Sequence, residues 1–432
     1  MARAGDLMNS LERLEGLSTS LLAHSREATV SSHAAEVIDA YESLDPKDRA
    51  AYFGFLRDEM TVDHDALRSA ATSYLESPDE AGAVALGTAS EPVRREFLRL
   101  LNTAPGGTRS IVDMRRDLLE LLSKDPGLRV VDAAFLHVLR SWFNQGFLEL
   151  RRLDWSTPAA ILEKLIAYEA VHAIVGWDDL RRRLESDRRL YAYMHTALPD
   201  EPLIFVEVAL VDRLVGSIED VLTQPPAVDL AEPTTAIFYS ITNTQPGLSS
   251  ISFGNFLIKQ VMGELQREIP TLETFSTLSP IPGFLVWLRG QSDEDLEWMD
   301  SGARARLPAL NGTEWIDFPW AQQDLEPVLM QAAAHYLYTV KRPGSDPPRP
   351  IDSVARFHLR NGASIHRLNW MGDPSPKGLG ESAGMLVNYL YDADAVVANV
   401  EAFVGDGTIA ASDQIKELAA GRTVPATDVA SR

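Results

Sequence analysis

Cysteine does not occur among the 432 residues. Disulfides, thiolate nucleophiles, Cys-ligated zinc and iron–sulfur clusters are thereby excluded together. Long apolar runs are missing as well, and nothing approaches the roughly 18 consecutive apolar residues of a membrane helix. Positive charge is scarce: 40 Lys and Arg stand against 62 Asp and Glu, a formal net charge of −22. The field of such a molecule repels nucleic acid, so an anionic ligand needs a local pocket of backbone N–H groups and a few cations. Met1 to Leu17 contains Asp6, Glu12 and Glu15 and lacks an apolar signal core, and the final VASR is not a peroxisomal address. The cytoplasm is the expected compartment, with no membrane or nucleic-acid partner.

What is present is the composition of a soluble globular protein, 45% apolar and 24% charged, long enough for two or three domains. Residues 1–152 read as helices separated by punctuation. Asp45-Pro46 looks like an N-cap followed by a first-turn proline, and Ser90-Glu91-Pro92 opens another helix in a similar manner. NTAPGGT (102–108) and KDPG (124–127) are loops, while VRREFLRLLN and MRRDLLELLS carry apolar residues at three- and four-residue spacing. This region predicts an all-α bundle for packing or assembly.

The signature changes near Trp155, and residues 153–432 form a second, α/β region. Thr157-Pro158 starts a helix, AAILEKLIAYEAVHAI; LIFVEVAL (203–210) and TAIFYSITN (235–243) read as neighbouring strands. QPGLSSISFG (245–254) is a loop, and NFLIKQVMGELQRE (255–268) a helix with Leu257, Ile258, Val261, Met262 and Leu265 on one face. FSTLSPIPGF (275–284) follows as a strand end. A helix with HYLYTV then precedes a proline-rich linker, RPGSDPPRP (342–350), and residues 421–432 read as a disordered tail.

The strand–QPGLSSISFG–helix unit has the geometry that binds phosphate, because unpaired amides and the positive end of a helix dipole converge there. Gly247 and Gly254 allow close approach of backbone, and Ser249, Ser250 and Ser252 add hydroxyls. It is neither a Walker loop nor GxGxxG, and on local physics alone an ordinary strand-to-helix turn is the better explanation. KGLGESAG (377–384) is one residue out of step with a dinucleotide fingerprint and reads as a turn into a helix. The nine histidines include no HExxH, and His358 and His366, eight apart, are poorly spaced for a metal.

In VARFHLR the alternation of a strand puts Phe357 and Leu359 on one face and Arg356, His358 and Arg360 on the other, before an Asn361-Gly362 hairpin turn. That second face is either solvated or lines a cleft for an acidic substrate. Ser279, between Leu278 and Pro280, is not in a GxSxG elbow, and on its own reads as the cap of a strand that Pro280 and Pro282 force to stop or splay.

Taken together, the blocks FLIKQV…ELQRE…LSPIPGF, FHLRNGASIHRLNWMGD, EAVHAIVGWDDLRRRL (169–184) and SWFNQGFLELRRLDW (141–155) resemble the malonyl-CoA decarboxylase family from about residue 130 to 391. The resemblance implies an α+β architecture: an N-terminal helical bundle domain that mediates homo-oligomerisation, as dimer or tetramer, followed by a GNAT-like (N-acetyltransferase fold) catalytic domain. It implies that Ser249, Ser250, Ile251, Ser252, Phe253, Gly254 and Asn255 cradle the CoA pyrophosphate. Some relatives carry an acidic residue where Ser252 stands. It places the catalytic serine at Ser279 and the catalytic histidine at His358.

The implied reaction converts malonyl-CoA to acetyl-CoA and CO2 without metal or organic cofactor, through a thioester enolate protonated by His358, with Ser279 orienting the malonyl carboxylate. A CoA-dependent acyltransferase of the same fold and a non-catalytic acyl-CoA sensor are the alternatives.

Overall fold

A computed structural model describes residues 9–25, 28–224, 233–251, 254–312 and 314–421, with backbone alone at 254–256. Past Gly421 the expected tail lies outside the described residues. The chain forms two compact units: one holds 1–149 with 194–203 and 245–252, the other 150–193, 204–244 and 253–432.

The first unit is helical: α1 (Ser10–Ala23), α2 (Val30–Glu42), α3 (Pro46–Asp58), α4 (His64–Glu76), α5 (Glu80–Ala89), α6 (Val93–Leu101), α7 (Gly107–Leu121) and α8 (Arg129–Trp142). Local chemistry sets the starts. Asp45 accepts from the Asp48 N–H with Pro46 in the first turn, and Asp63 and Asp79 cap α4 and α5 in the same manner. Tyr52, Phe53, Phe97 and Phe135 are completely buried between these helices. Each such burial is worth about 1.5–3 kcal/mol, and the Tyr52 hydroxyl is satisfied by Ser18 at 2.7 Å.

The second unit is a mixed α/β layer structure. Its strands are β1 (Leu148–Leu153), β2 (Arg188–His195), β3 (Ile204–Val211), β4 (Thr235–Asn243), β5 (Thr274–Thr277), β6 (Ser279–Pro280), β7 (Ser364–Asn369) and β8 (Leu386–Tyr391). They pair in the order β1-β2-β3-β4-β5-β8, with β6 and β7 also on β8. Every pairing from β2 onward is antiparallel except β4 with β5. This is the mixed sheet expected of an N-acetyltransferase-like domain. The helices are α9 (Ala159–Tyr168), α10 (Gly176–Arg183), α11 (Ile218–Thr223), α12 (Gly254–Glu268), α13 (Phe284–Arg289), α14 (Ser301–Arg304), α15 (Pro319–Tyr338), α16 (Ser353–Arg360), α17 (Pro376–Ser382), α18 (Val396–Gly405) and α19 (Asp413–Ala419). Among the described residues no helix is long and apolar enough to cross a membrane.

In α12 the expected face is buried through Leu257, Ile258, Val261 and Leu265. Strand β3 is buried on both faces, which explains its unbroken apolar run. The exception is Glu207, at a bulge, whose carboxylate accepts from Arg183 at 2.8 Å. Arg183 also donates to the His172 and Ala173 carbonyls and so fixes the chain after α9.

Two expectations fail locally. Helix α9 stops at Tyr168, six residues before Ile174, because the Glu169 carboxylate turns back to accept the Val171 and His172 N–H groups. VARFHLR is a helix, α16, and not a strand. Asp352 caps it by accepting the Ala355 N–H at 2.7 Å, and Ala355, His358 and Leu359 share its buried face. Over so few residues the alternating pattern and the three-to-four spacing coincide. Asn361 closes the helix and Gly362 turns out of it with φ +90°, where a side chain would meet the Val396 carbonyl, so no hairpin turn forms.

Asp352 thus carries the start of the helix that presents His358. Asp352→Ala should cost about 1–2 kcal/mol in chemical denaturation, and Asp352→Asn, which also caps, should recover most of it. Equal losses in the two variants would show that the cap does not matter.

Candidate active site

The parallel pairing of β4 with β5 runs from Thr235 opposite Thr274 to Phe238 opposite Thr277 and then ends. One further bond follows, from the Leu278 N–H to the Phe238 carbonyl at 3.0 Å. Strand β4 continues to Asn243, paired only with β3, while the other chain leaves through Ser279 and Pro280 along β8. Pro280 has no N–H, and the two strands part.

A cavity of about 240 Å³ fills the gap. Tyr239, Ser240, Ile241 and Asn243 form one wall, Leu278, Ser279 and Pro280 the second, and Phe357 and His358 of α16 the third. Among the described residues, none that lines it is Lys, Arg, Asp or Glu. Behind the first wall Ser240 and Thr242 donate to the buried Glu169 carboxylate. A roomier surface hollow, of about 360 Å³ around Trp315 and Trp320, contains none of the expected site residues.

Ser279 and His358, 79 residues apart in sequence, meet here at 3.2 Å between Oγ and Nε2. Both are almost completely buried. The other ring nitrogen, Nδ1, lies 2.8 Å from the Tyr391 hydroxyl, and the ring stacks on Tyr389 with centroids 4.5 Å apart. Ser279 donates its hydroxyl hydrogen to Thr277 Oγ1 at 2.8 Å. Its oxygen is then left to accept Nε2–H, and Nδ1 to accept from Tyr391. Burial pushes the His358 imidazole down to about 3, so it is neutral at pH 7, and burial pushes the Tyr391 phenol well above its ordinary range.

Tyr391, Tyr389 and Thr277 were not singled out as site residues in the sequence. Tyr391 reaches His358 only because β8 pairs with β5, opposite Phe275, and composition around NYLYDAD carries no sign of it. A GxSxG string does occur at Gly380–Gly384, but its Ser382 is buried and bonded to the Gly378 and Met385 carbonyls, so it is no nucleophile.

Of the expected phosphate loop, Ser249, Ser250 and Ile251 are described. Ser252 and Phe253 lie outside the described residues, and Gly254 and Asn255 begin α12. Pro246–Leu248 form a single 3₁₀ turn, and Ser250 has φ +68°. Gly247 serves packing and not ligand approach, since a side chain there would collide with the Val112 carbonyl. Arg115, almost fully buried and paired with Asp132 at 2.7 Å, donates to the Gly247 and Ser249 carbonyls at 2.6 and 2.8 Å. It fixes the first half of the loop.

Known proteins resemble this chain in sequence and in fold. The family model of the malonyl-CoA decarboxylase C-terminal domain matches residues 146–429, and that of the malonyl-CoA decarboxylase N-terminal domain matches 60–143. The mitochondrial malonyl-CoA decarboxylase of Anser anser anser is 35% identical over 416 residues, covering 88% of this chain and 82% of that one. That of Mus musculus is 35% identical over 421 residues, covering 89% and 85%. The crystal structure of malonyl-CoA decarboxylase from Rhodopseudomonas palustris superposes with a TM-score of 0.89 at 44% identity, over 95% of this chain and all of that one. The Agrobacterium vitis enzyme gives a TM-score of 0.87 at 42% identity, over 94% and 99%. With both family models matched and relatives this similar over most of their length, the chain belongs to the malonyl-CoA decarboxylase family.

Proposed function

We propose that this protein is a carboxy-lyase that converts malonyl-CoA to acetyl-CoA and CO2 in the cavity between β4 and β6. The observation that carries the reading is the Ser279–His358 pair at the wall of a cavity without charged side chains. From Tyr239 onward β4 has an edge that β5 does not cover, and its N–H and C=O groups suit the amides of an extended pantetheine arm. The CoA pyrophosphate is assigned to the stretch from Ser249 to Asn255, whose start Arg115 holds through the Ser249 carbonyl.

The C–C bond to the carboxylate breaks with its electron pair moving into the thioester, giving an enolate and neutral CO2. No cation in the lining holds the carboxylate back. The enolate carbon then takes the proton from Nε2 of His358. A thioester enolate is basic enough at carbon for neutral imidazole to serve as the acid, with Tyr391 donating to Nδ1 as negative charge develops on the ring. Water restores the proton after product leaves. Ser279 is given the part of acceptor for Nε2–H, which keeps that proton on the cavity side.

Ser279→Ala and His358→Asn should each lower turnover about tenfold or more, with CoA binding retained. The assay is CO2 and acetyl-CoA formation from malonyl-CoA, and near-wild-type release by both variants would remove the pair from the mechanism. Arg115→Met should act differently, raising KM for malonyl-CoA roughly fivefold, the value of about 1 kcal/mol, with a smaller change in kcat. A fall in kcat at unchanged KM would argue against the phosphate assignment.

The neutral histidine also has a stability signature. Its folded affinity for protons is depressed, from the ordinary 6.5 to about 3, so the unfolded chain binds more protons between these values. The stabilisation is complete above pH 6.5 and is lost as pH falls toward 3. Between pH 7 and pH 4 the wild type should lose about 3 kcal/mol more than His358→Gln. Parallel pH profiles in urea denaturation would refute burial of a neutral imidazole.

A further inference from the structure

The ladder between β5–β6 and β8 keeps one register throughout: Ser276 faces Leu390, and three residues later Ser279 faces Val387. Yet it is interrupted at Thr277 and Leu278. Side chains replace the missing backbone bonds there. The Tyr389 N–H goes to the Thr277 hydroxyl oxygen at 3.2 Å, and the Thr277 carbonyl accepts from the Asn388 side chain at 2.7 Å. Asn388 is completely buried and is itself held by Asn369 and Arg367. The Thr277 oxygen is therefore fixed in the sheet, completely buried, and it accepts the Ser279 hydroxyl hydrogen at 2.8 Å.

We propose that Thr277 is a positioning residue that, by holding the hydrogen of Ser279, sets which nitrogen of His358 carries the proton. With its hydrogen on Thr277, the Ser279 oxygen offers only lone pairs to Nε2. The stable arrangement is Tyr391 O–H to Nδ1, Nε2–H to Ser279, and Ser279 O–H to Thr277. Without the Thr277 acceptor the Ser279 hydroxyl turns to donate to Nε2. The ring proton then moves to Nδ1, with Tyr391 as acceptor, and the bare nitrogen faces the cavity. This inference rests on the reading of His358 as the proton donor through Nε2.

The test is Thr277→Val, nearly the same shape without the hydroxyl, in steady-state turnover of malonyl-CoA. We expect kcat to fall about tenfold with KM within about twofold, and Thr277→Ser to recover most of the turnover. A role through Ser279 has two further marks that mere structural support would not produce. In the Ser279→Ala background, Thr277→Val should change the residual turnover by less than about twofold. In ¹⁵N spectra of histidine-labelled protein, with His358 assigned by its absence in His358→Asn, the Nε2–H form should give way to Nδ1–H in Thr277→Val. Should the valine variant fail to fold, Thr277→Ala against Thr277→Ser gives the same contrast. Wild-type kcat in Thr277→Val beside an inactive Ser279→Ala, or an unchanged His358 tautomer, overturns the inference and leaves the site reading intact. Near-wild-type turnover of Ser279→Ala and His358→Asn instead removes the reading on which it rests.

Discussion

The parallel ladder between β4 and β5 stops after four residue pairs, at Phe238 and Thr277, and the site follows from that stop. Had it continued, Tyr239 to Asn243 would be covered and no cavity would exist. What ends it is local chemistry. Pro280 and Pro282 cannot donate to a ladder, and Ser279 and Pro280 are instead drawn along β8. At the same place the ladder of β5 and β6 with β8 is interrupted at Thr277 and Leu278, which frees backbone groups that a buried region must satisfy. Thr277 and Asn388 do so with their side chains, and the polar network that results ends on the Ser279 hydroxyl.

The histidine comes from a different element, and its position is set by a cap. Asp352 starts α16, and one and a half turns later His358 faces the parted strands with its ring flat on Tyr389. An eight-residue helix would not hold alone in water, so packing and the cap together decide its direction. Burial pushes the Asp352 carboxyl up from its ordinary range, an indication of how deep this helix begins. The aromatic floor under His358 removes water from the ring, which is why the imidazole stays neutral.

Much of this was legible in the residues, at different levels. The buried face of α12 and the pairing of β3 with β4 could be read from apolar spacing, because long elements with one consistent pattern leave little ambiguity. Ser279 and His358 could not: periodicity made one a strand cap and the other an alternating strand residue, and only the family's blocks marked them. VARFHLR misled because seven residues satisfy two periods at once, although Asp352 three residues before Ala355 was a visible capping signal. Glu169 ends α9 early by accepting the Val171 and His172 N–H groups. What holds its carboxylate in that place is a tertiary bond to Ser240 and Thr242, about seventy residues away, which no local pattern encodes. Tyr391 and Asn388 were illegible for the same reason. Their role depends on the sheet register across more than a hundred residues from Thr277.

A cavity with no cation among its described lining residues is a poor place for a carboxylate, and that would suit the proposed decarboxylation. Removing a carboxylate from water costs several kcal/mol even in real protein interiors. Loss of CO2 relieves the cost, because the charge passes into a larger enolate and the leaving group is neutral. A Lys or Arg in the lining would stabilise the malonyl group more than the transition state and so slow the step. In the proposed mechanism an imidazolium at His358 would do the same. The burial that holds His358 neutral would therefore serve both halves of the proposed chemistry. It would withhold a counter-ion while the C–C bond breaks, and it would leave an N–H for the stronger base that forms.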